Sequence, residues 1–211
     1  DDINQCSVDT FFKRGNISEG VISKNNTIKC FTDGSMLENG SVGWGFCIQY
    51  PSGTIIENKG NLQPYNSVFQ AEIVAINKAA ERLKLQNDKI EFFIDNKASI
   101  HALTNKYVYS QAVKECKIAL NNIPNNGQTV LNWIRAHVGT EGNERADALA
   151  KLGASCEDAA TEPAPPFSYI KSNVRLSFIK QWNHSWVNSQ DCRQSKFFIT
   201  EFDSKVSRSE E

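Results

Sequence analysis

Three short segments near the start of the chain are predicted to be strands, and the second of them alternates hydrophobic and polar residues. These segments read IKCFTDGS, SVGWGFCIQY and SGTIIENKG, and short turns such as PSG separate them. A period of two residues is typical of strands with one buried face, and short turns between such strands favour an antiparallel meander. The Asp33-Gly34 pair predicts a tight turn at the end of the first strand.

The hydrophobic pattern becomes helical at Ser67. The segment VFQAEIVAINKAAERLKL carries apolar residues at helical spacing, with Ser67 as its expected N-cap. The nearly continuous apolar run KIEFFID then predicts a strand that is buried on both faces and ends at Asp95. Two helix-like segments, the strand QTVLNWI and the helix NERADALAKLGAS follow, and Asn143 is the expected cap of that last helix.

This order of elements predicts an α/β fold in residues 28–154. We expect a five-stranded mixed sheet, an antiparallel meander followed by parallel strands, with helices packed on it. Residues 1–27 are expected to form a polar leader, and residues 155–166 a Pro-rich linker. Apolar residues repeat every four positions after that linker, which predicts a C-terminal helical extension with a loose tail at 167–211. Its aromatic residues are expected to pack on the core or on a neighbouring domain.

Composition narrows the classes of function. The net charge is −1, whereas a free-standing nucleic-acid binder usually has a basic surface, so a nucleic-acid role requires a local basic region or an attached partner. Apolar runs stay well below the roughly 20 residues that span a bilayer, and the first residues show no secretory signal. We therefore expect an intracellular protein without membrane contact, in the nucleus or the cytoplasm.

Acidic residues fall where α/β folds concentrate their sites. In the predicted order of elements, four acidic residues lie at strand ends or early in helices: Asp33, Glu72, Asp95 and Asp147. His137 lies on the loop before the last core helix. The carboxyl ends of parallel strands and the adjoining helix starts meet at one edge of such a sheet. Each residue alone also has a structural explanation, such as a turn, a cap or a favourable helix dipole.

A cluster of four carboxylates is hard to explain by structure alone. Two like charges about 4 Å apart repel by roughly 4 kcal/mol at an effective dielectric constant near 20, so the cluster needs protons or cations. Oxygen ligands suit hard cations such as Mg²⁺ and Mn²⁺. Two such ions about 3.5–4 Å apart are a common device for phosphodiester cleavage.

The motifs FTDGS, QAEIVAI, FFIDNKAS and WIRAHVGTEGNERADALAK resemble, in order and spacing, the four acidic motifs of ribonuclease H. The resemblance covers about Thr27 to Ala154, and the last motif is the most specific. It is strongest to the ribonuclease H domains that follow a reverse transcriptase in non-LTR retrotransposon polyproteins. The resemblance implies an endonuclease that hydrolyses the RNA strand of RNA–DNA hybrids, leaves 5′-phosphate and 3′-hydroxyl ends, and belongs to a retroelement reverse transcriptase.

The resemblance also implies roles for single residues. Asp33, Glu72, Asp95 and Asp147 would be catalytic ligands of two Mg²⁺ ions, for which Mn²⁺ could substitute. His137 would be a catalytic residue that assists proton movement or product release.

Further residues of the resemblance concern the substrate and turnover. Glu144 matches a secondary acidic position that is linked to turnover. The backbone at Gly34 and Ser35 would approach the 2′-hydroxyls that distinguish RNA from DNA. Other expected substrate contacts come from three polar residues: Ser67, Gln70 and Asn96.

The sequence departs from the family pattern in segments that bind the substrate in other members. The segment YNSVFQAE lacks the Thr-Asn pair that free-standing members often use, and KYVYSQAVKECKIALNN carries only three lysines in place of a basic protrusion. This predicts weak, salt-sensitive binding of hybrid by the isolated chain. The alternative is a catalytically weak nucleic-acid-binding or structural module of a retroelement polyprotein. The related integrase and DEDD exonuclease classes lack the HVGTEGNERAD arrangement and are disfavoured.

Overall fold

In the computed structural model, the described residues are 17–19, 27–124, 129–136, 139–157 and 163–201. Their strands are β1 (Ile17–Glu19), β2 (Ile28–Met36), β3 (Val42–Gln49), β4 (Ile55–Leu62), β5 (Ile90–Ile94) and β6 (Thr129–Trp133). Their helices are α1 (Val68–Leu83), α2 (Lys97–Thr104), α3 (Gln111–Asn121), α4 (Glu141–Ala154), α5 (Phe167–Asn188) and α6 (Arg193–Phe198). The chain divides into two compact units, Asp1–Ala164 and Pro165–Glu211.

The strands form one mixed sheet in the order β1-β6-β5-β2-β3-β4. Strands β2, β3 and β4 pair antiparallel, whereas β5 pairs parallel with both β2 and β6. The predicted α/β fold with a five-stranded mixed sheet is therefore confirmed. The short strand β1 pairs parallel with β6 and adds a sixth strand, inside the segment expected to be a polar leader. Three residues are too few to show a strand period in the sequence.

Helices cover both faces of this sheet. On one face, Cys30 and Phe92 belong to the large core cluster that includes the buried side of α1. Their chain neighbours Phe31 and Phe93 point to the other face, where the two rings stack with centroids 4.9 Å apart and Ala146 of α4 packs against them. Strand β5 is buried along its whole length for this reason, as its continuous apolar run predicts.

Strand β2 continues through the position where a turn is expected. Asp33 pairs with Gly45, and Gly34 with Trp44, in the ladder with β3. The turn lies later, where the Leu37 amide donates to the Ser41 carbonyl at 2.9 Å. The prediction that Asp33 ends the strand in a turn is therefore wrong. The local turn preference of Asp-Gly is overridden by strand pairing and by close packing at Gly34.

Glycines bring α4 against the sheet. A Cβ on Gly43 would lie 2.1 Å from the Ala154 nitrogen, and a Cβ on Gly45 would lie 2.5 Å from the Ala150 nitrogen. Only glycine at these strand positions leaves room for the helix backbone. The contact fixes the position of α4 and, with it, of Asp147.

The second unit contains α5 and α6, so the predicted C-terminal helical extension is confirmed. Trp182 and Trp186 stack with ring centroids 5.2 Å apart, and the Trp186 indole donates to the Ile199 carbonyl at 2.8 Å. None of the residues of α5 is buried. Packing of its aromatic residues on a core or a neighbouring domain stays a prediction. Within the described part of the chain, no helix is long and apolar enough to cross a membrane.

Candidate active site

Three of the predicted carboxylates meet near the carboxyl ends of the central strands β2 and β5. Asp33 lies in β2, and Asp95 directly follows β5, the parallel neighbour of β2. Glu72 lies in the second turn of α1. One carboxylate oxygen from each residue lies within 4.8 Å of the other two. The convergence expected from the sequence is present for these three side chains.

Gly34 allows Glu72 to come this close. A Cβ at Gly34 would lie 2.5 Å from the Glu72 nitrogen and 2.8 Å from the Val68 carbonyl oxygen. Without that atom, α1 packs directly on β2, and Glu72 is buried with 1% of its surface exposed. The Thr32 hydroxyl donates to Glu72 Oε1 at 3.2 Å, and the Gly34 amide donates to the same carboxylate.

Burial and mutual repulsion make the cluster a poor place for bare negative charge. The pKa of Glu72 is raised well above its usual value. Burial is the largest cause, and the charges of Asp33 and Asp95 add to it. Burial is also the largest cause of the raised pKa of Asp33, which is about 7, and the charges of Asp95 and Asp147 add to it. A cation would relieve both effects, and an oxygen-only set of ligands fits a hard divalent ion.

Asp147 adjoins the cluster from α4. Interaction with Asp147 contributes to the raised pKa of Asp33, which shows that the two carboxyl groups lie close together. Lys151, one turn along the helix, brings its Nζ to 2.7 Å from Asp147 Oδ2. The fourth predicted carboxylate therefore joins the site through Asp33.

Two other residues of the final motif, Glu144 and His137, have predicted roles in catalysis or turnover. Glu144 lies in the first turn of α4 with an exposed side chain, so its secondary role stays a prediction. His137 lies outside the described residues.

Asn143 has a role that differs from the expected helix cap. The N-cap of α4 is Thr140, and Asn143 lies in the first turn. Its side chain is buried and donates through Nδ2 to Asp95 Oδ2 at 3.3 Å. The prediction of a capping Asn143 is therefore wrong. The spacing contains the clue, because Asn143 and Asp147 are four residues apart and share one helix face.

Comparison with known proteins decides the family. Residues 25–155 match the family model for RNase H. The chain belongs to the ribonuclease H family. It is similar to Ribonuclease H of Ruthia magnifica subsp. Calyptogena magnifica, with 28% identity over an alignment of 141 residues, and the match covers 60% of this chain and 94% of the relative. It is also similar to Ribonuclease H of Francisella philomiragia subsp. philomiragia, with 26% identity over an alignment of 145 residues, and the match covers 62% of this chain and 93% of the relative.

A solved structure supports the same fold. The protease–reverse transcriptase of prototype foamy virus matches 66% of this chain with a TM-score of 0.52 and 18% sequence identity, and the match covers 22% of the viral chain. The predicted recognition and enzyme class, ribonuclease H, are confirmed by the family and its curated relatives. The origin in a non-LTR retrotransposon stays a prediction.

In this ribonuclease H, the expected substrate residues around the carboxylates already have local partners. Ser67 and Gln70 form a reciprocal capping box at the start of α1, as the expected N-cap Ser67 predicts. Asn96 Oδ1 accepts from the Ala98 amide at 2.9 Å and caps α2. Ser35 is half-buried in β2. Contacts of these residues with a substrate, and of the backbone at Gly34, stay predictions.

Without metal, ionisation of the ribonuclease H cluster is expected to destabilise the fold as the pH rises. The pKa of Asp33 is about 7 in the folded chain, against 3.8 ordinarily, so between these values the folded state holds a proton that the unfolded state has released. This contribution falls as the pH rises and levels off above about 7. Between pH 5 and 8, the decline attributable to Asp33 is on the order of 2 kcal/mol, at about 1.4 kcal/mol per pKa unit.

Urea unfolding in EDTA measures this effect. The stability advantage of Asp33→Asn over wild type should be larger at pH 8 than at pH 5. An advantage that is equal at the two pH values, or smaller at pH 8, would contradict the raised pKa of Asp33.

Replacing Asn143 with Ala is expected to lower both metal affinity and hybrid cleavage. The substitution removes the hydrogen bond that orients Asp95, and loss of such an outer partner typically costs about 10–100-fold in affinity or activity. Isothermal titration with Mn²⁺ gives the affinity. The matched control is Asn87→Ala, an exposed Asn in the loop before β5. Equal Mn²⁺ affinities for the two variants would show that Asn143 does not orient the ligand.

Proposed function

We propose that this ribonuclease H hydrolyses the RNA strand of RNA–DNA hybrids by a two-metal-ion mechanism. The ions would be Mg²⁺, for which Mn²⁺ can substitute. The observation that carries the proposal is the cluster of Asp33, Glu72 and Asp95, whose carboxylate oxygens lie within 4.8 Å of one another. Asp147 extends the set of ligands through its hydrogen bond to Asp33.

Asp33 would serve both ions, and its neighbours support this role, because it lies with Glu72 and Asp95 in the cluster and interacts with Asp147. Glu72 and Asp95 would complete the ligands of one ion, and Asp147 those of the other. When bound, the two ions promote attack of water on the phosphorus and stabilise the leaving oxygen. The bond between phosphorus and the 3′-oxygen breaks, which gives 5′-phosphate and 3′-hydroxyl ends. His137 would assist proton movement or product release.

Selection of RNA would come from the backbone beside the cluster. Strand β2 runs past Asp33 through Gly34 and Ser35 to the exposed Met36. Backbone groups here would lie next to the bound strand, where 2′-hydroxyls distinguish RNA from DNA.

Cleavage of labelled nucleic acids tests the proposal. The substrates are an RNA–DNA hybrid labelled on the RNA strand, duplex RNA of the same sequence and single-stranded RNA, each with Mg²⁺ or with EDTA. The expected result is Mg²⁺-dependent cleavage of the hybrid alone. Comparable cleavage of duplex RNA, or cleavage that persists in EDTA, would contradict the proposal.

A catalytically weak binding or structural module is the second candidate. The chain has a net charge of −1, and residues 105–110, which connect α2 with α3, carry a single basic side chain, that of Lys106. These observations support weak hybrid binding in isolation, and a reverse transcriptase, attached or associated, that adds grip. Hybrid binding at low salt without cleavage in Mg²⁺ or Mn²⁺ would favour this candidate.

A further inference from the structure

Lys151 is a cation placed on a carboxylate of the site. It follows Asp147 by one turn of α4, and its Nζ lies 2.7 Å from Asp147 Oδ2. The hydrogen bond to Asp147 raises the pKa of Lys151, and the charges of Asp147 and Asp33 add to this effect. The ammonium group is therefore held by a predicted metal ligand and also feels the charge of the cluster behind it.

This pair differs from an ordinary surface ion pair. Lys78 and Glu81 form a matching pair on α1, 3.5 Å apart, with both side chains about half exposed. Such exposed pairs generally contribute little. The side chain of Asp147 is only 24% exposed, and its carboxyl group also interacts with that of Asp33. What Lys151 does to Asp147 therefore affects the metal site.

We propose that Lys151 sets the affinity of the site for the ion at Asp147 by competing for the same carboxylate. This inference rests on the proposed metal-dependent function. An ammonium that donates to Oδ2 occupies one of the two carboxylate oxygens that are open to a divalent ion. Two cations at one carboxylate also repel each other. The ion must therefore either share the carboxylate with Lys151 or displace it, and either course weakens metal affinity.

The side chain of Lys151 can make that movement. It is 54% exposed, and its four-carbon stem has several rotatable bonds that allow the ammonium to reach solvent. Withdrawal leaves α4 in place, because the helix is fixed by its glycine contacts with β3. Lys151 thus tunes the metal concentration at which the site fills, without a change in the fold.

Mn²⁺ titration followed by electron paramagnetic resonance of the free ion tests this inference. The variants are Lys151→Met, Lys151→Arg and Lys78→Met, which removes the same charge from the pair on α1. Lys151→Met should bind the ion at Asp147 about 1.5- to fivefold more tightly than wild type, the range of one nearby charge at an exposed site. Lys78→Met and Lys151→Arg should stay near wild type.

Affinity in Lys151→Met that is equal to or weaker than that in Lys78→Met would overturn the inference. Lys151→Gln, which also removes the charge, replaces the Met variant if the latter unfolds in EDTA. Hybrid cleavage by the wild type is measured separately. Cleavage combined with unchanged Mn²⁺ affinity in the variant overturns the inference alone, whereas a wild type that neither binds Mn²⁺ nor cleaves hybrid overturns the proposed function as well.

Discussion

Replacing Asp33 with Asn should reduce cleavage of the RNA strand of a hybrid by at least about 10²-fold. Outer partners of metal ligands already contribute about 10–100-fold, and Asp33 is the carboxylate that contacts both parts of the site. It shares the cluster with Glu72 and Asp95 and hydrogen-bonds to Asp147. The measurement is kcat/KM for a labelled hybrid in Mg²⁺.

Asp88→Asn is the matched control for Asp33→Asn. Asp88 is exposed in the loop before β5, so its variant should cleave hybrid like the wild type. Asp33→Asn should fold at least as well as wild type in EDTA, because it removes charge from a crowded, largely buried cluster. Activity of the Asp33 variant within about tenfold of wild type would contradict the role assigned to this residue.

Replacing Gly34 with Ala is expected to destabilise the fold by about 1–3 kcal/mol, the usual range for overpacking. The added Cβ would meet backbone atoms of α1, 2.5 Å from the Glu72 nitrogen and 2.9 Å from the Ala71 carbonyl carbon. Backbone cannot rotate away as a side chain would, so α1 must shift and carry Glu72 away from Asp33. Cleavage should therefore fall by more than about tenfold. Urea unfolding and hybrid cleavage give the two results.

Gly40→Ala separates lost stability from lost geometry. Gly40 lies in the turn after β2 at φ +84°, with open space where a Cβ would be placed. The variant should lose about 1 kcal/mol to backbone strain and keep its cleavage rate. A Gly34→Ala variant that is as active as Gly40→Ala would show that α1 does not need this close approach.

The sequence predicts those parts of the fold and site that depend on regular patterns. Helical spacing after Ser67 and the apolar run before Asp95 place α1 and β5, and the capping signal at Ser67 is local and strong. The sequence predicts that the acidic residues lie close together, because the carboxyl ends of neighbouring parallel strands lie side by side. The motif resemblance then selects four acidic residues for the site, and three of them, Asp33, Glu72 and Asp95, lie together in the structure.

Long-range packing decides the features that the sequence did not reveal. The local signal of Asp33-Gly34 favours a turn, but pairing with β3 and contact with α1 keep the segment extended. Asn is a residue type that often caps helices. In the structure, however, Gly142 packs on the Phe31 ring, and the side chain of Asn143 next to it donates to Asp95. The contact of Lys151 with Asp147 depends on how α4 is placed. Such contacts link distant segments and leave no periodic trace.

The position of bound Mn²⁺ tests the central claim most directly. Crystals grown with Mn²⁺ should show an anomalous scattering peak among the carboxylates of Asp33, Glu72 and Asp95 and a second peak between Asp33 and Asp147. Both peaks should weaken or disappear in Asp33→Asn. Carboxylates without bound Mn²⁺, at a Mn²⁺ concentration that supports hybrid cleavage in solution, would contradict the claim that this cluster is the metal centre of the enzyme.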